Sequence, residues 1–288
     1  MPTMLWCNVA VTPHFSWPNV PIAIPFEGRT VVLSPPTATL TCRAALWNPN
    51  RTTFEAGGTI LSRFLSRLAW TNNGGIEEFF HNGTNVPNEP GRLGQGTYAR
   101  SGWATIDPPH SIYLPATLGS EAELGLALYR EGISVNSVPF GFLSLFKIFN
   151  IRHASGPAQM KWINDNLAAI WYQPALDRLH EIQSLHRDVG QYLYVQGRCA
   201  VAHASSSPLV NPDIYSDRRR LQSDFPLMKE LAALFIEKDL GVPSESNFHK
   251  NFDPDLHRDS ILIRGGINNS WVTYVPYARD ASKEKPPK

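Results

Sequence analysis

The chain has 288 residues, 42% of them hydrophobic, and a formal net charge of +1. That is enough apolar material for a sizeable core and length enough for two domains of ordinary size. The balance of charge excludes a global basic field, so any polyanion must be held by a local patch.

Three cysteines, Cys7, Cys42 and Cys199, are too few and too far apart for a metal pattern or a disulfide framework, which fits a reducing compartment. No run approaches the roughly 20 apolar residues of a membrane span. Residues 1–6 lack the basic start and apolar run of a signal peptide. The expectation is a cytoplasmic protein with no membrane partner.

Proline divides the chain. Between about 119 and 204 only Pro139, Pro157 and Pro174 occur, out of 24, which predicts an irregular or β-rich first part and a helical second part. Residues 6–12, 30–33 and 37–47 are rich in β-branched and aromatic residues and are separated by breaks such as Phe26-Glu27-Gly28-Arg29. From 55 to 70 the period changes. Ile60, Leu61, Phe64, Leu65 and Leu68 fall at helical spacing, and Asn72-Asn73-Gly74-Gly75 stops the helix. Residues 81–117 read as a long loop with a strand at 112–114. Gly91-Arg92-Leu93-Gly94-Gln95-Gly96 does not sit between a strand and a helix, so it is not read as a phosphate loop.

From about 119 the pattern is helical. Ser120 and Glu123 have the spacing of a capping box, and that helix should end near 135–137. A second helix, 139–151, is apolar nearly all round and should be buried. A third is expected over 157–171 and a fourth over 174–185. Asp188 caps a fifth, which carries Gln196-Gly197-Arg198-Cys199-Ala200-Val201-Ala202-His203. The last long helix is expected to start at Asp224 as N-cap, with Pro226 in the first turn, and to end at Gly241 and Pro243. Beyond 244 a strand is expected at 271–275 and disorder from 282 to 288. The expected organisation is α+β: a β-rich domain over 1–117, a helical bundle over 118–243, and an extension over 244–288.

Arg198 and His203 form an Arg-x4-His pattern near a helix end, inside a set of antiparallel helices. With Tyr129-Arg130-Glu131-Gly132 and the run from Phe140 to Lys147, this resembles the HEPN superfamily, and within it the proteins labelled as methylamine-utilisation MauJ-like. The resemblance covers about residues 119–241. It implies a HEPN-like bundle that cleaves RNA without a metal or other cofactor, as a toxin or phage-defence effector. It also implies a homodimer with both copies of the motif facing one cleft. The residue types suit that chemistry. RNA supplies its own 2′-OH nucleophile. A histidine moves protons near neutral pH, and an arginine forks onto phosphate oxygens. One departure is Cys199, where family motifs commonly carry a polar residue.

Geometry sets a condition. Five residues of straight α-helix span roughly 140° of rotation, so Arg198 and His203 do not share a face. They converge only if the arginine reaches round, the helix end distorts, or a second protomer closes the site, and this predicts the dimer. A lone histidine on an apolar face is also read as a packed core residue, and Cys199 as a buried small one. Arg218, Arg219 and Arg220 are read either as a solvated charge run or as an RNA backbone clamp. Tyr194 is read as a base-stacking platform or as packing. Arg152-His153 reads as a helix-end charge pair, and His180, Glu181 and His186 lack metal spacing.

The first domain is a candidate module for a regulatory partner. The competing functional readings are a ribonuclease and a catalytically inactive scaffold that binds RNA or protein. A third, an accessory role in amine metabolism, rests only on the label carried by similar sequences.

Overall fold

The computed structural model describes residues 3–36, 42–86, 111–115, 119–205, 208–211, 214–244, 261–264 and 275–276. The chain divides into two compact units, one drawn from residues 1–74, 78–117 and 243–288, the other from 75–77 and 118–242.

The first unit is built on a five-stranded sheet. Its strands are β1 (Thr3–Pro13), β2 (Ile22–Phe26), β3 (Arg29–Ser34), β4 (Cys42–Thr53) and β5 (Ile76–Thr84), in the order β2-β3-β4-β1-β5. The Glu27-Gly28 break makes the β2–β3 hairpin. Phe26 pairs with Arg29, and both turn residues have positive φ, 48° and 69°. That is the conformation a two-residue hairpin demands and glycine tolerates best. The apolar stripe read at 55–70 becomes α1 (Phe54–Thr71), capped by the Thr53 hydroxyl, which accepts from Ala56 N. Ile60, Leu61, Phe64, Leu65 and Leu68 are all buried, and α1 packs on β1 and β4. β2 and β5 were not expected from the sequence. A second sheet joins β6 (Ser111–Leu114), β7 (Ile261–Arg264) and β8 (Val275–Pro276) in that order. The glycine-rich stretch at 91–96, residues 271–274 and the 282–288 tail lie outside the described residues.

The second unit is helical: α2 (Ser120–Ser134), α3 (Val138–Lys147), α4 (Gly156–Asn166), α5 (Gln173–Leu185), α6 (Val189–Tyr192), a π-helical segment (Leu193–Cys199), α7 (Ala200–Ala202) and α8 (Tyr215–Lys238). Its centre is aromatic. Phe149 stands edge-on to Phe146 and Phe235 at centroid distances of 5.3 and 5.4 Å, and Trp162 lies 5.0 Å from Phe235. A β-rich unit beginning the chain and a helical unit after it give the α+β class. No helix among the described residues is long and apolar enough to cross a membrane.

Three helix readings are corrected. Gly119, with φ of 120°, is the cap of α2, and Ser120 is already helical with no side-chain cap bond. The all-apolar helix is shorter than expected. It tightens into a 3₁₀ turn at Ile148–Ile151, and Phe140 is 62% exposed. α8 begins nine residues before Asp224, at Tyr215. Asp224 is therefore no cap. It is fully buried in a stripe with Leu221, Leu227, Met228 and Leu231, where ion pairing to other helices outweighs its preference for helix ends.

Candidate functional site

The motif helix does not run as a regular α-helix. From Leu193 to Cys199 it widens to the π form, a rare geometry found mostly as single turns inside α-helices and often at functional sites. Two close approaches fix it in the bundle. A Cβ on Gly190 would lie 2.4 Å from the Met160 carbonyl oxygen of α4, and one on Gly197 would lie 2.4 Å from Cζ of Phe142 in α3. The segment therefore lies flush against two helices at positions where any side chain would hold it off.

The helix then ends at once. Cys199 O accepts from His203 N at 3.0 Å, while His203 itself turns to extended backbone, φ −128° and ψ 113°. The widened segment and the break at His203 together bring the arginine and the histidine into contact. Arg198 Nη1 lies 3.1 Å from His203 Nε2. A guanidinium offers only donors, so Nε2 can pair with it only as an acceptor, in the tautomer whose ring proton sits on Nδ1. The couple closes within one chain through a distorted helix end, one of the three routes to convergence that straight-helix geometry left open. His203 is exposed and Arg198 half-buried, so His203 is not the packed core residue that its apolar helix face suggested.

Tyr194 and Cys199 complete the cluster. The Arg198 guanidinium lies over the Tyr194 ring, 5.6 Å from its centroid, a cation–π arrangement. The same ring packs edge-on against Phe146 at 6.0 Å, and its hydroxyl end occupies the space a side chain at Gly156 would fill. Tyr194 is thus both packed and half-exposed. Cys199, expected to be buried, is half-exposed, with its Sγ 3.7 Å from Arg198 Nη1.

The basic cluster divides. It lies in the first turns of α8, not in the loop before it. Arg218 and Arg219 are exposed. Arg220 turns inward and donates to the Gln196 carbonyl of the π segment at 2.7 Å, with Asp224 Oδ2 at 3.7 Å.

Asp224 is the hub of a buried network that the sequence reading missed. Its Oδ1 accepts from Arg178 Nε at 2.9 Å and lies 2.8 Å from Arg178 Nη2. The Tyr192 hydroxyl donates to the carboxylate at 3.2–3.3 Å and accepts from Arg178 Nη2 at 3.1 Å. Burial pushes the Asp224 carboxyl above the usual carboxylate range, against the pull of Arg178, Arg220 and Tyr192. Burial works against the Arg178 charge, yet Glu181 and Asp224 outweigh it and hold its pKa above the ordinary arginine value. The i, i+4 spacing of Arg220 and Asp224 was the one sequence signal for this network.

Of the other polar residues weighed from sequence, Glu181 accepts from Arg178 and His186 packs on Tyr192 at the edge of the Asp224 network, whereas Arg152 and His153 make their contacts elsewhere. Arg152 pairs with Glu121 and donates to the Asp239 carbonyl, while the His153 ring packs on Phe235. His186 lies against Tyr192, ring centroids 4.6 Å apart. Among the described residues no group of three or more His, Cys, Asp or Glu is placed to hold a metal ion.

Residues 125–237 match the protein family described as Methylamine utilization protein MauJ. The match covers less than half of the chain. It lies within the helical unit and spans the Arg198–His203 couple, the basic cluster and Asp224. No curated protein and no solved structure matches the chain.

Proposed function

We propose that the helical unit is a metal-independent endoribonuclease site in which Arg198 and His203 cleave RNA through its own 2′-OH. The observation that supports this reading is the 3.1 Å approach of Arg198 Nη1 to His203 Nε2 at a solvent-facing helix end. A phosphodiester entering the site draws the Arg198 fork onto its non-bridging oxygens, where the charge grows in the transition state. That releases the Nε2 lone pair, which takes the 2′-OH proton. The 2′-oxygen attacks phosphorus, the 5′-oxygen leaves and takes a proton from water, and the products are a 2′,3′-cyclic phosphate and a 5′-OH. Arg218 and Arg219 clamp the backbone of the same strand, and Tyr194 offers its half-exposed ring to a base. A homodimer would set two such couples across one cleft, the arrangement that the HEPN resemblance implies, and a phage-defence or toxin role would follow from the same chemistry. The first unit is then the place for a regulatory partner.

The test uses one RNA in two forms, native and 2′-O-methylated, incubated with the full chain in EDTA. The reading expects cleavage of the native form alone, with cyclic-phosphate ends. Equal cleavage of both forms removes the 2′-OH from the mechanism.

A second reading, a non-catalytic module that binds RNA or protein, is favoured by one observation. In the unliganded geometry the Nε2 lone pair is already engaged by Arg198. Retention of RNA without any new ends would establish that reading.

A further inference from the structure

We infer that Arg220 and Asp224 are positioning residues: they hold the π-helical register of the motif segment and thereby set the approach of Arg198 to His203. The end of the π segment carries a backbone irregularity. Ala200 N–H bonds to the carbonyls of Val195 and Gly197 and passes over that of Gln196, its ordinary α-helical partner. The Gln196 carbonyl accepts instead from Arg220 Nη1 at 2.7 Å. A side chain on α8 therefore occupies the acceptor that Ala200 N–H would take if the segment relaxed to an α-helix.

That side chain is itself held. Asp224, one turn further along α8, is fully buried and stands 3.7 Å from Arg220 Nη1. Its other partners, Arg178 on α5 and Tyr192 at the end of α6, fix the carboxylate from two more helices. Tyr192 directly precedes the π segment. The segment is thus gripped at its start through Tyr192 and near its end through Gln196, by one carboxylate and its two arginines.

A network placed this way does more than stabilise the bundle. The two residues before Arg198 are Gln196, held by Arg220, and Gly197, packed on Phe142. Releasing Gln196 lets the segment rewind. Each residue of an α-helix turns by about 100°, so removing one residue's worth of bulge swings the downstream side chains by that amount and separates Arg198 from His203. Arg220 touches neither partner of the couple and no reacting atom, so it acts through the segment alone.

The catalytic part of this inference rests on the ribonuclease reading; the structural part does not. The experiment therefore has two arms on the full chain, using Arg220→Gln, the conservative Arg220→Lys, and Asp224→Asn, which keeps the shape and removes the charge. The first arm is amide hydrogen exchange without RNA. Loss of a hydrogen bond from a charged donor is expected to speed exchange of the amides from 197 to 203 roughly ten- to hundredfold. The amides of α2 and α4 keep their wild-type rates, and Arg220→Lys recovers most of the protection. Unchanged exchange in Arg220→Gln overturns the inference, as does acceleration that this same variant spreads evenly over the unit, because that is the signature of a general stability residue. The second arm is RNA cleavage: Arg220→Gln lowers kcat and leaves KM unchanged, with Arg220→Lys partly restoring kcat. Unchanged kcat overturns the positioning role even where exchange responds. If the wild type does not cleave, the ribonuclease reading fails by itself and the exchange arm alone decides this inference.

Discussion

Replacing Gly197 with alanine tests the packing that seats the motif helix, because two effects of opposite sign compete there. In an ordinary helix the change is favourable by about 1 kcal/mol, since alanine loses less backbone entropy. Here the new Cβ would lie 2.4 Å from Cζ, 2.6 Å from Cε1 and 3.4 Å from Cε2 of Phe142. Carbon atoms pack best at about 3.5–4.0 Å, so ring and helix must part by roughly 1 Å. The ring has nowhere to go: Phe142 is fully buried and stacks on Phe146 at 6.3 Å. Overpacking a filled core costs about 1–3 kcal/mol, and a clash against a confined ring belongs at the upper end. The net expectation is destabilisation by about 1–2 kcal/mol. Phe142→Leu removes the offending ring edge, so in that background Gly197→Ala should cost nothing or stabilise by up to about 1 kcal/mol. Urea unfolding of the four proteins, followed by far-UV circular dichroism, gives the cycle. A Gly197→Ala protein as stable as wild type, or a cost that persists with Phe142→Leu, would show that the Phe142 ring does not set this position.

Gly190→Ala should be worse tolerated than Gly197→Ala, because its Cβ meets a backbone carbonyl at 2.4 Å rather than a side chain; a cost of about 2–3 kcal/mol is expected in the same unfolding assay. Asp224→Ala takes the buried carboxylate from Arg178 and Arg220 and leaves them Glu181 and the Gln196 carbonyl, so it should cost about 3 kcal/mol, the lower end for breaking a buried pair, read from the same urea midpoints; a cost below about 1 kcal/mol would remove the network from the account. Iodoacetamide at pH 8 should label half-exposed Cys199 and spare Cys7 and Cys42 until the protein unfolds, as peptide mass mapping would show. Burial pushes the Cys42 thiol up to about 11, which leaves roughly one thiol in a thousand ionised at that pH. The sign of its pH dependence follows. The folded pKa lies above the ordinary 9.0, so the contribution of Cys42 to stability is complete below pH 9 and falls away as pH rises towards 11.

Local patterns found the helices whose partners they did not need to know. The stripe Ile60, Leu61, Phe64, Leu65 and Leu68 gave α1, and Asp188 was read as a cap and is one, accepting from Gln191 N. The fold class followed from where proline thins out. Other elements depend on partners distant in sequence. β2 alternates buried and exposed residues over only five positions, too few to distinguish from a loop, and becomes a strand by pairing with β3. Asp224-Phe225-Pro226 has the letters of a helix start, but Arg178 is 46 residues away, and that pairing turns a residue suited to a cap into a buried hub. The motif itself shows the same division. Its residue types were plain in the sequence. Its geometry was not, because the motif helix is seated by contacts of Gly190 with Met160 and of Gly197 with Phe142, and by the bond from Arg220 to the Gln196 carbonyl, all between residues well apart in sequence.

The most direct measurement is the rate of RNA cleavage by the full chain, in EDTA, for the wild type, Arg198→Ala and His203→Ala, each first shown to be folded by circular dichroism. The wild type is expected to produce 2′,3′-cyclic-phosphate ends, and each substitution to lower the rate at least roughly a hundredfold, the lower range for removing an acid–base or charge-stabilising group. Cleavage at the wild-type rate by either variant would contradict the assignment of Arg198 and His203.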